Sequence, residues 1–415
     1  MMIVKQKFET GQRNFVFGHQ KGEPVTNGIL NGPGAGLLLS ILRNGQARTR
    51  AELVQLTGLS RSTVSQRIDA LLIRRLILPA EDATPSGGRP ATAFLFNRRA
   101  NVALAADLGV THARLAVTDL GGEILADRNA DLSIDRGPES TLGWVLDTFR
   151  ELLAVSGHTL HDVCGAGIGL PGPVDHESGQ AINPPVMPGW DRFPVRDWMS
   201  ARIGVPVLVD NDVNIMALGE HWAMRPGVDH LMFVKVGTGI GCGIIAGGQL
   251  HRGDRGAAGD IGHIRVPTMD QMQCRCGNIG CLEAVASGGA LAARLRDLGL
   301  ETADTRDVVR LVKEGNTKAV HLVRQSGREI GGVLASVVSF FNPAAVVIGG
   351  DLAEAGDHLL AGVREMVYGR SLPLATQRLS IRASELGDRA GVIGAAVTVI
   401  EHFLAPEVVD QIIAV

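Results

Sequence analysis

Three of the five cysteines lie close together in the segment CRCGNIGCLE, which ends in Glu283. Cys274, Cys276 and Cys281 follow His263, so one imidazole and three thiolates are available, the donor set of a closed tetrahedral zinc site. A disulfide would leave one of the three thiols unpaired, and the Cys-x-Cys spacing differs from the Cys-x-x-Cys of redox proteins. The pattern therefore predicts a structural Zn²⁺ that fixes the loop before the glutamate.

A second candidate site is the polar segment DNDVN, which follows the apolar run VLV. Asp210, Asn211 and Asp212 stand where a strand would deliver them to the start of a helix. Carboxylate and amide groups suit sugar hydroxyls, and one carboxylate could accept the proton of a hydroxyl that attacks a phosphoryl group. The simpler interpretation, in which Asp210 or Asp212 caps a helix over 213–223, accounts for one acid but not for the cluster.

Two Gly-rich segments, ADLGVTHARL and VKVGTGIGCG, each join two apolar runs of strand length. A strand, Gly-rich turn and strand leave backbone N–H groups free for phosphate oxygens, and Asp107 at the end of the first strand could position a metal ion. Such turns are usually only turns, so either one alone is weak evidence. Two in one domain predict a duplicated fold whose two lobes close on a nucleotide, and AAVVIGG adds another buried strand near it.

The elements around these residues fall into regions of different charge. Between Arg43 and Arg99 there are ten arginines and four acidic residues, a net charge of +6, although the whole chain carries −3. A basic segment on an acidic body predicts a nucleic-acid-binding module fused to another domain. The alternative is a solvated basic face without a partner.

The basic segment has the pattern of a winged helix-turn-helix. Apolar spacing predicts a helix from Gly36, a second over 50–57 with Leu53 and Leu56 inward, and a third after the N-cap Ser60. Strands before and after the turn TPSGGRP would form the wing, whereas a helical hairpin for protein contacts is the alternative. The side chains expected at DNA are Ser60, Arg61, Ser62, Ser65, Gln66 and, at the wing tip, Arg89.

The chain length predicts two or three domains. The expected boundaries are a loosely ordered arm over 1–35, the winged helix-turn-helix over 36–99, a first lobe over 100–212 completed by a C-terminal helix over 388–415, and a second lobe over 213–387 with a zinc loop at 263–283. The beginning of the chain has no signal-peptide pattern, and Asn342-Pro343 divides the longest uncharged run. We therefore expect a cytoplasmic protein without a membrane span.

Four motifs together resemble the ROK family of repressors, open reading frames and sugar kinases. They are IGLPGPVD, VDNDVN, VGTGIGCGI and H-x10-C-x-C-G-x-x-G-C-x-E, and the likeness extends from Val102 to about Leu404. The segment SGGRP with its preceding helices resembles the repressor branch. The resemblance implies an actin-like, ribonuclease H-like α/β domain of two lobes with a sugar in the cleft.

The resemblance also assigns residues to ligands. Asp212 is the position of the catalytic base in kinase members. The implied sugar contacts are Gly172, Asn211, Asp212, Asp260, His263 and Glu283. The implied nucleotide contacts are Asp107, Gly109, Thr111, Gly237, Thr238, Gly239, Gly349 and Gly350.

This sequence departs from the kinase pattern at two positions. Val110 stands where family kinases usually have glycine, and its branched side chain weighs against ATP and Mg²⁺ binding. Asp260 stands where the family usually has glutamate, which shifts the sugar or selects a different one. Sugar binding tolerates such changes better than catalysis, because group transfer depends on close positioning.

The sequence therefore predicts a sugar-responsive transcriptional regulator, a repressor of carbohydrate-utilisation genes. Its expected partners are operator DNA and a monosaccharide or sugar derivative, and two half-sites on DNA would require a homodimer or homotetramer. An ATP-dependent sugar kinase, or a protein that does both, is the alternative. A scaffold without enzymatic activity is a third class, which a sugar-dependent thermal shift would exclude.

Overall fold

The structure is a computed structural model that describes residues 34–80, 92–224, 227–266 and 272–414. Residues 34–96, as far as they are described, form the N-terminal module, a three-helix unit with a small antiparallel sheet in the strand order β1-β3-β2. Its elements are α1 (Ala35–Leu42), β1 (Arg48–Thr49), α2 (Arg50–Thr57), α3 (Arg61–Ile73), β2 (Ile77–Pro79) and β3 (Ala93–Phe96). The predicted arm over 1–35 extends too far, since Gly34 is the N-cap of α1 and Ala35 its first residue. The rest of that arm and the wing tip with Arg89 lie outside the described residues.

Local sequence signals explain the helix starts of the N-terminal module. Thr49 and Glu52 form a capping box at α2, and the Ser60 side chain accepts the N–H of Thr63 at the start of α3, as predicted. Leu53 is buried, but the prediction for Leu56 was wrong, since that side chain is largely exposed. The second buried residue of α2 is Thr57, four positions after Leu53 and so on the same face of the helix.

The first lobe is a five-stranded sheet in the order β10-β7-β4-β5-β6, with helices packed on it. Strands β4 and β7 are buried along their whole length, which accounts for their uninterrupted apolar sequences. The elements of this part of the chain are β4 (Val102–Leu108), β5 (His112–Asp119), β6 (Ile124–Asp131), α4 (Pro138–Val155), β7 (Val163–Leu170), β8 (Val174–Asp175), β9 (Gln180–Ala181), α5 (Val195–Ile203) and β10 (Val207–Asn211).

The second lobe repeats the plan with a sheet in the order β13-β12-β11-β14-β15. Two sheets of the same design confirm the expected two-lobed α/β fold. The elements are α6 (Asp212–Ala223), β11 (Leu231–Val236), β12 (Ile240–Ala246), β13 (Gln249–Leu250), α7 (Leu282–Ala286), α8 (Gly288–Asp297), α9 (Thr305–Lys313), α10 (Thr317–Phe341), β14 (Ala345–Gly349), α11 (Asp357–Arg370), α12 (Pro373–Thr376) and β15 (Ser380–Ala383). Helix α6, where the predicted lobe boundary falls, contacts strands of both sheets.

The chain ends in two helices, α13 (Ala390–Phe403) and α14 (Pro406–Ala414), rather than the single helix expected over 388–415. Pro406 begins the second helix, and a proline cannot continue the hydrogen bonding of the first. Helix α13 crosses α6 so closely that a Cβ on Gly394 would lie 1.6 Å from the carbonyl oxygen of Ile215. Its other end shares one apolar core with the N-terminal module, in which Val399 and Ile400 are buried together with Leu38 and others.

Within the described ranges, no single helix is long and apolar enough to cross a membrane. One bent pair of helices, 387–403 and 406–414 with 56° between them, passes on length and composition alone.

Candidate functional site

A cavity of about 760 Å³ lies between the two lobes. Strands β4 and β5 of the first lobe contribute to its walls, as do strands β11 and β14 and helix α9 of the second. The ends of β4 and β11 therefore bring Asp107 and Lys235, from distant parts of the sequence, to one cleft. This is the arrangement that the two Gly-rich hairpins predict.

Asn211 is the N-cap of α6, and not Asp210 or Asp212 as the simpler interpretation had it. Its side-chain oxygen accepts the N–H of Val213 at 2.9 Å, and its amide nitrogen donates to the carbonyl of Gly172 at 2.7 Å. Gly172 has a φ of 133°, which a side chain would strain, so the PGPVD loop can approach α6 here. The predicted sugar residues Asn211 and Gly172 thus lie together, each bonded to the other.

Asp210 is a buried residue that holds neighbouring loops in place. Arg252 donates to one of its oxygens at 2.8 Å, and the Asn214 amide donates to the other at 2.7 Å. The His176 ring lies 3.7 Å away on a third segment. The first acid of the DND motif is therefore occupied by protein partners.

Asp212, which the sequence predicts as the catalytic base of a kinase, is paired with a lysine. The Lys235 ammonium lies 2.5 Å from Oδ2 of Asp212, and the N–H of Val213 donates to Oδ1 at 2.8 Å. Burial works against the charge on Lys235, but Asp212 and Asp107 outweigh it, so the pKa of the lysine is raised. Sequence reasoning missed Lys235, although a lysine within the apolar run LMFVKV was a signal that could have revealed it.

The four predicted metal ligands lie together. The donor atoms of His263, Cys274, Cys276 and Cys281 are all within 4.8 Å of one another. Sγ of Cys276 is 3.7 Å from Sγ of Cys281, and Sγ of Cys274 is 3.7 Å from Nδ1 of His263. A tetrahedral zinc with Zn–S distances of about 2.3 Å has S–S edges of about 3.8 Å, so the spacing suits such an ion. This cluster could hold a metal ion.

The other nitrogen of His263 faces away from the cysteines. Nε2 lies 3.9 Å from Oδ1 of Asp260, whose side chain is 59% exposed. Glu283 follows the last cysteine by two residues and accepts the N–H of Ile240 at 3.0 Å. A Cβ on Gly239 would lie 2.4 Å from that carboxylate, so the side chain of Glu283 packs closely against the second Gly-rich turn. The cysteine loop, Asp260 and the second Gly-rich turn therefore form one connected surface.

The predicted nucleotide residues divide into two groups. Five of them line the cavity: Asp107, Thr111, Thr238, Gly349 and Gly350. Gly237 and Gly239 instead close the turn on itself, with the Gly237 N–H donating to the Gly239 carbonyl at 2.9 Å. Gly109 lies under the ring of His112, which occupies the cavity wall and was not predicted.

The first Gly-rich turn differs in detail from the expectation. Val110 has an ordinary backbone conformation, and its side chain packs against the apolar core of the first lobe. Burial and the neighbouring Lys235 lower the pKa of His112, which favours a neutral ring. At this turn the side chain that lines the cavity is therefore His112 and not Val110.

The predicted DNA-contacting residues lie at the start of α3. Ser60, Arg61, Ser62 and Gln66 are exposed, and Ser65 is partly exposed. Other arginines of the basic segment bind within the protein. Arg50 pairs with Asp69 at 2.9 Å and lies over the Phe94 ring.

The amino-acid sequence was compared with protein families and with characterised proteins. A model described as the ROK family matches residues 103–402. The xylose repressor of Caldicellulosiruptor bescii is 30% identical over 383 residues, which cover 89% of this chain and 96% of that protein.

Two solved structures have similar folds. One, described as a ROK family transcriptional regulator and homolog of the E. coli MLC protein, has a TM-score of 0.77 at 24% identity and covers 92% of this chain and 98% of that one. A ROK family glucokinase from Streptomyces griseus, in complex with glucose and AMPPNP, has a TM-score of 0.62 at 31% identity and covers 72% of this chain and 99% of that one.

Proposed function

The chain belongs to the ROK family, and on this basis we propose that it is a sugar-responsive, DNA-binding transcriptional repressor of carbohydrate-utilisation genes. The observation that carries the proposal is helix α13, which connects the cleft with the N-terminal module. A Cβ on Gly391 in its first turn would clash with the Asp107 carboxylate, so this end touches the cleft. At the far end, Glu401 pairs with Arg43 of the N-terminal module at 2.7 Å.

The connection continues through α14. Asp410 accepts the backbone N–H groups of Gly34, Ala35 and Gly36, at 3.2, 2.8 and 3.0 Å, and so caps the start of α1. A sugar that binds one arrangement of the lobes better than another shifts the population toward it. Because α13 and α14 touch both the cleft and α1, such a shift would change the position of the N-terminal module on DNA.

The DNA part of the proposal is supported by the exposed start of α3. Arg61 and Gln66 are exposed, and side chains of this kind bind phosphates and base edges at the N-terminal end of a recognition helix. Ser60, Ser62 and Ser65 accompany them. Operators are read as two half-sites, so the proposal includes a homodimer or homotetramer, and a cytoplasmic location follows from the DNA partner.

The sugar part is supported by the polar surface between the lobes. His263 lies 3.9 Å from Asp260, Glu283 accepts the N–H of Ile240 in the second Gly-rich turn, and Asn211 is bonded to Gly172. We propose that these groups and Asp212 bind the sugar, with Gly172 in the floor of the site. A monosaccharide with several hydroxyls suits such a surface. We propose Zn²⁺ in the cluster of His263 and the three cysteines, with a structural role because four protein donors leave no open position.

The DNA proposal is tested by fluorescence anisotropy with the promoter of the chain's own gene. Arg61→Ala should weaken binding about 5- to 150-fold, as expected for about 1–3 kcal/mol per lost contact, with sugar affinity unchanged. Arg89→Ala, in the predicted wing, should act in the same direction. Arg150→Ala removes an exposed arginine of α4 and is the matched control. Equal binding by the Arg61 and Arg150 variants would contradict the proposal.

A sugar kinase is the second candidate, because Asp212 contacts Lys235 in the wall of the cavity that the Gly-rich turns line, and because the glucokinase shares the fold. ATP and Mg²⁺ would then be needed at Asp107, Thr238 and Gly349. A coupled phosphorylation assay over a panel of sugars distinguishes the two functions. Turnover that disappears in Asp212→Ala would establish the kinase, and no turnover with a sugar that shifts the melting temperature would support the regulator.

A further inference from the structure

Lys235 lies on a strand of the second lobe and has no side chain beside it on either neighbouring strand. It is the penultimate residue of β11, and its register partners are Gly241 on β12 and Gly349 on β14. Paired residues on neighbouring strands point to the same face of a sheet, and these two partners have no side chains. The lysine is therefore the only side chain at this level of the three strands, and it extends into the cleft.

Three carboxylates favour the charge of this ammonium, and two of them, Asp107 and Asp351, line the same cavity as the lysine. Asp107 comes from the end of β4, Asp212 from the first residue of α6 and Asp351 from the turn after β14. Of the three, only Asp212 is in direct contact with the ammonium, at 2.5 Å. The Lys235 side chain is 18% exposed and that of Asp212 is 7% exposed. Asp107 is buried, and its Oδ1 has no hydrogen-bond partner among the described residues.

A convergence of carboxylates at the end of strands is typical of a divalent cation site, and phosphoryl transfer uses such a cation to bridge phosphates. Here the ammonium already supplies the opposing charge. A second cation within a few ångströms would be repelled by Lys235 in a cleft where burial reduces screening. The residues that the kinase fold would use for Mg²⁺ therefore do not fit that ion in this chain.

The pairing also changes what Asp212 can do. A general base must be free to approach the hydroxyl whose proton it accepts. Both oxygens of this carboxylate already accept hydrogen bonds, one from the ammonium and one from the Val213 backbone. The negative charge of Asp212 is balanced by the lysine, so the carboxylate is not a free base.

We infer that the Lys235 ammonium takes the place of a divalent cation in this cleft, so that the site binds its sugar without a metal–nucleotide and without phosphoryl transfer. The inference deepens the proposed regulatory function and rests on it for the identity of the ligand. Lys235 is a specificity-determining residue in this account. It makes the kinase-like cleft a site for free sugar.

The experiment is a Mn²⁺ titration of the zinc-loaded full chain, followed by electron paramagnetic resonance. Wild type and Lys235→Arg should bind no Mn²⁺ in the cleft. Lys235→Met, which keeps the length but not the charge, should gain one site with at least about tenfold higher affinity, and Lys235→Met with Asp351→Asn should lose it. Equal Mn²⁺ binding by wild type and Lys235→Met would overturn the inference.

A second arm needs no change at Lys235 and so does not depend on how that variant folds. Wild type and Asp351→Asn should give the same Mn²⁺ titration, because the wild-type cleft holds no ion for Asp351 to bind. A wild-type site that Asp351→Asn removes would overturn the inference while leaving the regulator proposal intact. Normal promoter binding by Arg61→Ala would overturn the regulator proposal alone, since that variant does not touch the cleft.

Discussion

Replacing Asp410 by alanine removes the contact through which the end of the chain holds the beginning of the N-terminal module. The carboxylate accepts three consecutive backbone N–H groups at the start of α1, at 2.8 to 3.2 Å, and these groups have no partners inside the helix. Gly36 approaches Pro406 so closely that a Cβ would overlap its backbone, so the two helices are in tight contact at this point. The substitution leaves this packing in place and removes only the cap.

The expected cost follows from these contacts. Loss of an N-cap side chain costs about 0.5–2 kcal/mol, and loss of a negative charge at a helix N-terminus costs about 0.3–1 kcal/mol more. Asp410→Ala should therefore lower the stability of the N-terminal module by about 1–3 kcal/mol. Asp410→Asn keeps an oxygen acceptor and should lose only the charge contribution, about 0.3–1 kcal/mol.

Hydrogen–deuterium exchange followed by mass spectrometry measures this directly on peptides that cover α1. A cost of about 1–3 kcal/mol corresponds to about 5- to 150-fold faster exchange, under conditions in which the exchange rate is proportional to the equilibrium constant for local opening. Glu407→Ala removes an exposed acid from the same helix and serves as the control. If the Asp410 and Glu407 variants exchange at the same rate, α14 does not hold α1, and the proposed path from cleft to DNA loses its last link.

Three further changes test other parts of the molecule. Gly394→Ala places a Cβ against a backbone carbonyl of α6 and should cost about 1–3 kcal/mol in urea unfolding, whereas Gly143→Ala, a helical position with open space, should stabilise by about 0.5–1 kcal/mol. Cys281→Ser should yield protein with far less than one zinc per chain by elemental analysis and with weakened sugar binding, while Cys164→Ala, outside the cluster, keeps its zinc. Burial raises the pKa of Asp107 to about 7 in the folded chain, so its ionisation removes stability as the pH rises from about 4 through about 7. Asp107→Asn should therefore raise the melting temperature more at pH 8 than at pH 4; equal shifts at both values would refute the assignment.

Local patterns were enough to predict much of the fold. Ser60 and the apolar spacing after it predict α3, because a helix start is determined by side chains within a few residues of it. Uninterrupted apolar runs predict the buried strands β4 and β14, since strands covered on both faces need no polar alternation. Leu56 shows the limit of this reasoning, because the spacing of leucines in α2 does not reveal how many of them the small core can cover.

The metal cluster was predictable for a similar reason. Cys274, Cys276 and Cys281 are close in the sequence, and their chemistry limits what three thiols near a histidine can do. The distance of 3.7 Å between the last two sulfurs is a short-range consequence of a tight loop. Side chains that must meet across few residues are the easiest part of a site to predict.

The sequence by itself determined the elements, the donor set near His263 and the family, because each is carried by residue types at short spacing. Only the tertiary structure decided that Lys235 pairs with Asp212 and that Asp410 caps α1. The first pair is separated by 23 residues, and Asp410 lies 374 or more residues from the backbone that it caps. A lysine in the apolar run LMFVKV is itself unusual, but no local pattern identifies the partner of Lys235 or of Asp410, since these groups meet only in the folded chain. The motifs are therefore those of a kinase cleft, whereas the inference that the Lys235 ammonium replaces the divalent cation depends on the tertiary structure.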